Sequence, residues 1–175
     1  MDTYRCITTK RDLRSFTDAP IPEDTLRKIL NAGRHSGSSR NSQPWRFVVI
    51  QDRTRLKALA AFGRFAQHVA TAAAAIVIVI DEARQAFDAG RCAQNMMLAA
   101  WTWGIASCPA TLHDAQDAKR FLGVPDAKTI AIAISLGYPD PRGRRPVERT
   151  VLRILSGRGR HPLDAIVSWE QYRVG

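Results

Sequence analysis

Two clusters in this sequence carry side chains suited to holding a polar, charged ligand. The stretch SSRNSQPWRFVVIQD, residues 38–52, places the hydroxyls of Ser38 and Ser39 and the amides of Asn41 and Gln43 directly before Pro-Trp and a short apolar run. Amides both donate and accept, so such a loop can read the edge of a planar heterocycle, or satisfy its own backbone in a turn. The other cluster, TKRDLR, sets Lys10, Arg11 and Arg14 close together, and the late run PRGRRPVERTVLRILSGRGR includes Arg158 and Arg160. Guanidinium groups offer paired donors that match phosphate oxygens. Two basic patches far apart in sequence can meet in one phosphate pocket or remain two solvated faces.

The whole chain shares the sign of these patches: 26 basic against 16 acidic residues give +10 and a pI near 10.4, with a less basic middle. Such a balance attracts phosphate, on nucleic acid or on a small anion. Zinc-finger spacing, a helix-turn-helix pattern and aromatics interleaved with the basic residues are not found, which argues against a nucleic-acid module. Cys6, Cys92 and Cys108 are odd in number and lack paired spacing, so they read as structural thiols with no disulfide or zinc site. His35, His68, His113 and His161 show no dyad or metal spacing and read as structural or solvated. The longest apolar run, ATAAAAIVIVI at 70–80, is too short to span a bilayer, and Met1 leads into Asp2 and Arg5 with no apolar leader. The expectation is a cytoplasmic protein without a membrane or nucleic-acid partner.

Alternating elements must position these clusters. PIPEDTLRKILNAGRH predicts a helix with Leu26, Ile29, Leu30 and Gly33 on one face, opened by Pro22 and early acids, with Ile21 as a staple. WRFVVI predicts a strand, and Asp52 then caps a helix carrying Leu56, Leu59 and Ala60. AIVIVI, β-branched throughout, predicts a central strand covered on both faces. Residues 86–103 are apolar on nearly every side and end at Gly104, which predicts a helix buried in the middle of an assembly. A short amphipathic helix in HDAQDAKRFLG, the strand TIAIAISLG and the turn YPDPRG follow. At 175 residues the chain fits one domain, 1–175, of three-layer α/β or α+β type.

KRDLRSF, PIPEDTLRKILNAGRHSGSSRNSQPWRFVVIQD, DAGRCAQNMMLAAWTWGIASCPA, SLGYP and RHPLDAIVSWEQY stand in an order and spacing that resembles the nitroreductase family of flavin mononucleotide (FMN) enzymes, over residues 10–172. The resemblance implies an α+β fold, a three-layer α-β-α sandwich with a central mixed sheet. It also implies an intertwined homodimer with two flavins at its interface, residues 140–175 forming a C-terminal extension that embraces the partner.

The resemblance also implies roles for residues. Lys10, Arg11 and Arg14 match the basic opening that holds phosphate and ribityl oxygens, with Asp12 where many relatives carry Ser. Arg158 and Arg160 match a basic pair closing on the same phosphate. Ser38, Ser39, Asn41 and Gln43 match the loop that packs on the partner's flavin, preceded here by Gly37 where relatives often have Pro. Pro109 and Ala110, after Cys108, match main-chain contacts near the flavin's N5, and Gln67 is a candidate for an amide to the ring or ribityl edge. No catalytic side chain is expected. The function implied is ping-pong electron transfer from NAD(P)H to a nitroaromatic, quinone or similar acceptor. Flavin fragmentation and reductive dehalogenation are alternatives on the same fold. Only DEARQAFD joins the central strand to the long helix, where larger relatives insert a lid, so an open mouth is expected.

Overall fold

The predicted helices Glu23–Arg34 and Arg53–Ala61 are started by their own chemistry. In the computed structural model, which describes residues 1–142 and 160–172, the chain runs α1 (Thr3–Thr9), α2 (Glu23–Arg34), β1 (Trp45–Ile50), α3 (Arg53–Ala61), β2 (Ala74–Ile80), α4 (Ala86–Thr102), β3 (Ala106–Ala110), α5 (Ala115–Leu122) and β4 (Thr129–Gly137). Pro22 stands at the cap of α2, with Glu23 and Asp24 in its first turn and Arg34 in its last, each charge favourable to the helix dipole. Asp52 accepts a hydrogen bond from the Arg55 N–H at 2.8 Å and so starts α3.

The strands form one sheet in the order β1-β2-β4-β3. β2 lies inside it, pairing with β1 on one side and β4 on the other, and all seven of its residues are buried. Its alternate side chains serve two cores. Ile76, Ile78 and Ile80 pack with Leu26 and Ile29 of α2 and Met96 of α4, while Val77 and Val79 pack with Leu56 and Leu59 of α3 and Ala118 of α5. This is the expected α-β-α sandwich. Fully burying each such aliphatic side chain contributes about 1.5–3 kcal/mol, so truncating Ile78 to Ala costs about 2–5 kcal/mol. Gly33 lets α2 approach α4, since a Cβ there would meet Met96 Cε at 2.2 Å.

Three features differ from the sequence expectation. The sheet is not mixed in its ladders: all three are antiparallel, and among the described residues the parallel pairing is the isolated bridge between Asp12 and Ser107. Two elements were not predicted, α1 and β3. Helix α4 is buried along Asp88, Ala89, Cys92, Ala93, Met96, Met97 and Ala100 only; Phe87, Arg91 and Gln94 are exposed.

The chain separates into two compact units, 1–143 and 144–175. The described part of the second unit has a short 3-10 turn, Leu163–Ala165, and exposes Leu163, Ile166, Trp169 and Tyr172.

Candidate active site

The segment after α1 is zipped onto the outer edge of β3. The Leu13 N–H donates to the Ser107 carbonyl at 3.1 Å, and Asp12 bridges Ser107 in parallel register. This places the basic opening beside Cys108, but its cations are used differently. The Lys10 side chain is only 9% exposed; its Nζ pairs with the Asp12 carboxylate and lies 3.6 Å from Met97 Sδ of α4. Arg11 folds back and donates from one Nη1 to the Thr8 and Lys10 carbonyls, both at 2.9 Å, helping to close the end of α1. Arg14 donates from Nε to Cys108 Sγ at 3.4 Å and has no carboxylate partner among the described residues, so most of its fork is unspent.

Cys108 is buried, and burial pushes its thiol above the ordinary range while the Arg14 donor pulls the other way. It is therefore a neutral thiol suited to packing. Burial likewise pushes Cys92 up to about 12. Pro109 and Ala110 continue β3, opposite Ile134 and Ala133 of β4. Because β3 has a ladder on one side only, the missing N–H of Pro109 is tolerated there.

The polar loop has a different construction. A 3-10 turn, Ser39–Asn41, precedes β1, and Arg40, Asn41 and Gln43 hold φ of 52°, 53° and 47°. Such left-handed backbone costs a non-glycine residue roughly 1–2 kcal/mol. Neighbours hold the loop there: Ser38 Oγ accepts from the Gln43 N–H at 2.9 Å, and Asp88 of α4 accepts from the Ser39 N–H at 3.3 Å. Pro44 and Trp45 are buried behind it. Its amides are barely used, since the Asn41 side chain makes no hydrogen bond within the described residues and Gln43 Nε2 reaches the Asn41 carbonyl only at 3.5 Å. At position 37 a Cβ would lie 2.6 Å from an Arg91 Nη2, the far end of a flexible side chain that can move aside.

Gln67 is exposed in a 3-10 turn, Gln67–Val69, and its side chain makes no hydrogen bond within the described residues. The next residue, His68, reads from sequence as structural or solvated. His68 is 6% exposed, and its Nδ1 lies 2.8 Å from Ser135 Oγ. Burial lowers its pKa first, the Arg14 charge lowers it further, and Asp12 opposes. Arg14 and Asp12 also act on Cys108, as does Lys10. Lys10, Asp12, Arg14, Cys108 and His68 thus share one neighbourhood. A lone histidine 67 positions from its hydrogen-bond partner gives no sequence signal. Arg158 lies outside the described residues, and Arg160, which is exposed, belongs to the second unit.

No hydrogen bond or ion pair among the described residues joins the loop to Arg14; each fits part of an FMN group by itself, Arg14 retaining donors for anionic or ribityl oxygens and the Asn41 side chain an amide for a heterocycle edge.

The nitroreductase family profile matches residues 7–79 and 64–138. Over 149 residues the chain is 31% identical to an Archaeoglobus fulgidus protein described as NADH dehydrogenase/NAD(P)H nitroreductase, covering 79% of this chain and 86% of that protein. A solved nitroreductase-type protein from Desulfovibrio desulfuricans, in complex with FMN, is similar at 26% identity with a TM-score of 0.82, covering 99% of each chain. The NADPH:FMN oxidoreductase of Vibrio harveyi, solved with NAD+, is similar at 26% identity and the same TM-score of 0.82, covering 98% of this chain and 78% of that one. With the sandwich in place and the profile matched across most of its length, this chain belongs to the nitroreductase family.

Proposed function

We propose that the chain is an FMN-dependent oxidoreductase that passes electrons from NAD(P)H to a nitroaromatic, quinone or similar small acceptor, and that it works as a homodimer. The observation that carries this reading is the unspent Arg14 guanidinium held beside β3, in a family whose relatives include an FMN complex. When bound, FMN supplies a carrier able to accept a hydride from nicotinamide and deliver electrons onward.

The chain's own residues bind and orient. Arg14 supplies the principal charge-assisted donors, with Arg11 available if it leaves its carbonyls. Lys10 contributes a cation already offset by Asp12. The backbone at Pro109 and Ala110 forms a wall for the ring, and Ser38, Ser39, Asn41 and Gln43 face the flavin of the second copy. Gln67, which is exposed, adds an amide to the ring or ribityl edge in this reading. No acid or base is required of these residues.

The dimer is supported by uncovered apolar surface. Phe87 of α4, Tyr4 and Ile7 of α1, and Leu163, Ile166, Trp169 and Tyr172 of the second unit are all exposed in the single chain. A second copy covering them would bury apolar surface that the single chain leaves open. No helix among the described residues is long and apolar enough to cross a membrane, and we place the enzyme in the cytoplasm.

Steady-state kinetics of the FMN-loaded protein test the reading. Parallel double-reciprocal lines for NAD(P)H and a nitroaromatic or quinone are expected. Bound FMN that NADH and NADPH both fail to reduce would contradict it and favour the fragmentation or dehalogenation chemistries. Light scattering checks the dimer: a folded, flavin-loaded monomer would contradict that part.

A further inference from the structure

The buried histidine next to the basic opening belongs to a continuous polar layer. Cys108 and Ser135 are register partners across β3 and β4, so their side chains share one face of the sheet. On that face Arg14 donates to the Cys108 thiol at 3.4 Å, and His68 meets the Ser135 hydroxyl at 2.8 Å. Ser135 Oγ in turn lies 3.1 Å from the Cys108 carbonyl. Both serine contacts are satisfied together in only one sense: Ser135 gives its single proton to the carbonyl and accepts from His68 Nδ1–H. The carbonyl so held is the last one before Pro109 and Ala110. Among the described residues the other side-chain contact to that stretch of β3 is the Cys108 thiol, 3.6 Å from the Pro109 carbonyl.

We propose that His68 is a positioning residue of the flavin site, fixing the Cys108 carbonyl through Ser135 and setting, beside Arg14, the charge that an anionic ligand meets. The assignment rests on the FMN reading above. A layer of this kind is costly to break, because removing the histidine donor leaves a buried hydroxyl under-satisfied and frees it to turn from the carbonyl. The charge part follows from the surroundings. Arg14 and Asp12, from the segment after α1, are the charges that act on His68; Lys10 pairs with that Asp12. β4 presents the Ser135 hydroxyl and β3 the Cys108 thiol. The Arg53 of α3 is engaged by the Ala72 carbonyl and Asp18. Burial and Arg14 keep the ring neutral at neutral pH. Acidification adds a proton without removing Nδ1–H, so the hydrogen-bond layer survives while a positive charge appears beside Arg14. An anionic ligand is then held more tightly, and by reciprocity its binding takes up a proton.

The test is FMN binding by fluorescence quenching for the full chain and for His68→Asn, His68→Leu and Ser135→Ala, each from pH 7.5 to 5.5. Asn keeps a donor near Nδ1, whereas Leu fills space without one. His68→Asn is expected to bind within about twofold of wild type at pH 7.5, and His68→Leu and Ser135→Ala about five- to tenfold more weakly, the scale of one lost hydrogen bond. Relative to His68→Asn, which controls for titration of the phosphate itself, wild type is expected to gain affinity as pH falls. Equal affinity of His68→Leu and His68→Asn, or superimposable pH profiles of wild type and His68→Asn, would overturn the assignment while leaving the flavin reading standing. A wild-type chain that binds no FMN would overturn that reading and this assignment with it.

Discussion

The basic opening and the polar loop are both rich in hydrogen-bonding groups, and the protein uses them in opposite ways. In the opening, Lys10 is drawn inward onto Asp12 and Met97, and Arg11 onto α1 carbonyls, which leaves Arg14 as the cation with donors to spare. In the loop, backbone groups and Ser38 are consumed in holding a left-handed turn, while the Asn41 amide is left unspent. The formal charge of a segment therefore does not measure what it can offer a ligand. Availability is decided by whatever neighbour reaches each group first.

Breaking the unspent cation should have the largest effect. Arg14→Ala is expected to weaken FMN binding by about 1.5–3 kcal/mol, the worth of charge-assisted hydrogen bonds, as read by fluorescence titration. Arg11→Ala, by contrast, should cost under about 0.5 kcal/mol in the same titration, because its present contacts are to carbonyls at the surface. Equal losses in the two variants would erase the distinction drawn within the opening.

The loop offers the complementary perturbation. Asn41→Gly keeps a residue at ease with φ near 53° and removes only the amide. Affinity for FMN should fall by about 1 kcal/mol, while urea midpoints move by less than about 0.5 kcal/mol equivalent. A stability loss larger than the binding loss would mean that the amide serves the fold.

Asp12 ties the basic opening to redox chemistry. Removing its carboxylate leaves the Lys10 ammonium without its counter-charge, so Asp12→Ser makes the site more positive. Reduced flavin carries added negative charge, so the midpoint potential should rise. The carboxylate side chain is 55% exposed and screened. The rise should therefore be about 20 mV, the two-electron equivalent of about 1 kcal/mol at an effective dielectric near 20. Spectroelectrochemistry showing no change, or a fall, would place Asp12 away from the ring.

The smallest effect is on stability against pH. The fold lowers the His68 pKa below its ordinary 6.5, so between that value and its folded pKa the unfolded chain binds more protons. Stability is then complete above about pH 6.5 and declines as the pH falls below it. Urea unfolding of the flavin-free chain at pH 7.5 and 5.5 should show this decline, and His68→Asn should reduce it.

Much of the sandwich was legible because its elements bury their own periodic residues. β2 declares itself by continuous β-branched residues, and α2 and α3 by spacing and caps. The two missed elements lack such signals. β3 contains Pro109 and is a strand by virtue of its ladder with β4, and α1 buries Cys6 alone. The clusters of the site were legible as residue types, since phosphate and heterocycle recognition need few kinds of donor. Their internal pairings were not. Lys10 finds Asp12 because the chain after α1 is extended, and His68 meets Ser135 only through the tertiary fold. Helix α4 has the same character: its composition reads as apolar all round, yet the face opposite its buried stripe carries Arg91 and Gln94 beside Phe87.

The visible spectrum of the protein purified without added cofactor, followed by titration with FMN, tests the central claim most directly. A yellow protein whose flavin absorption saturates at one FMN per chain is expected. A colourless protein that also leaves added FMN unquenched would contradict it.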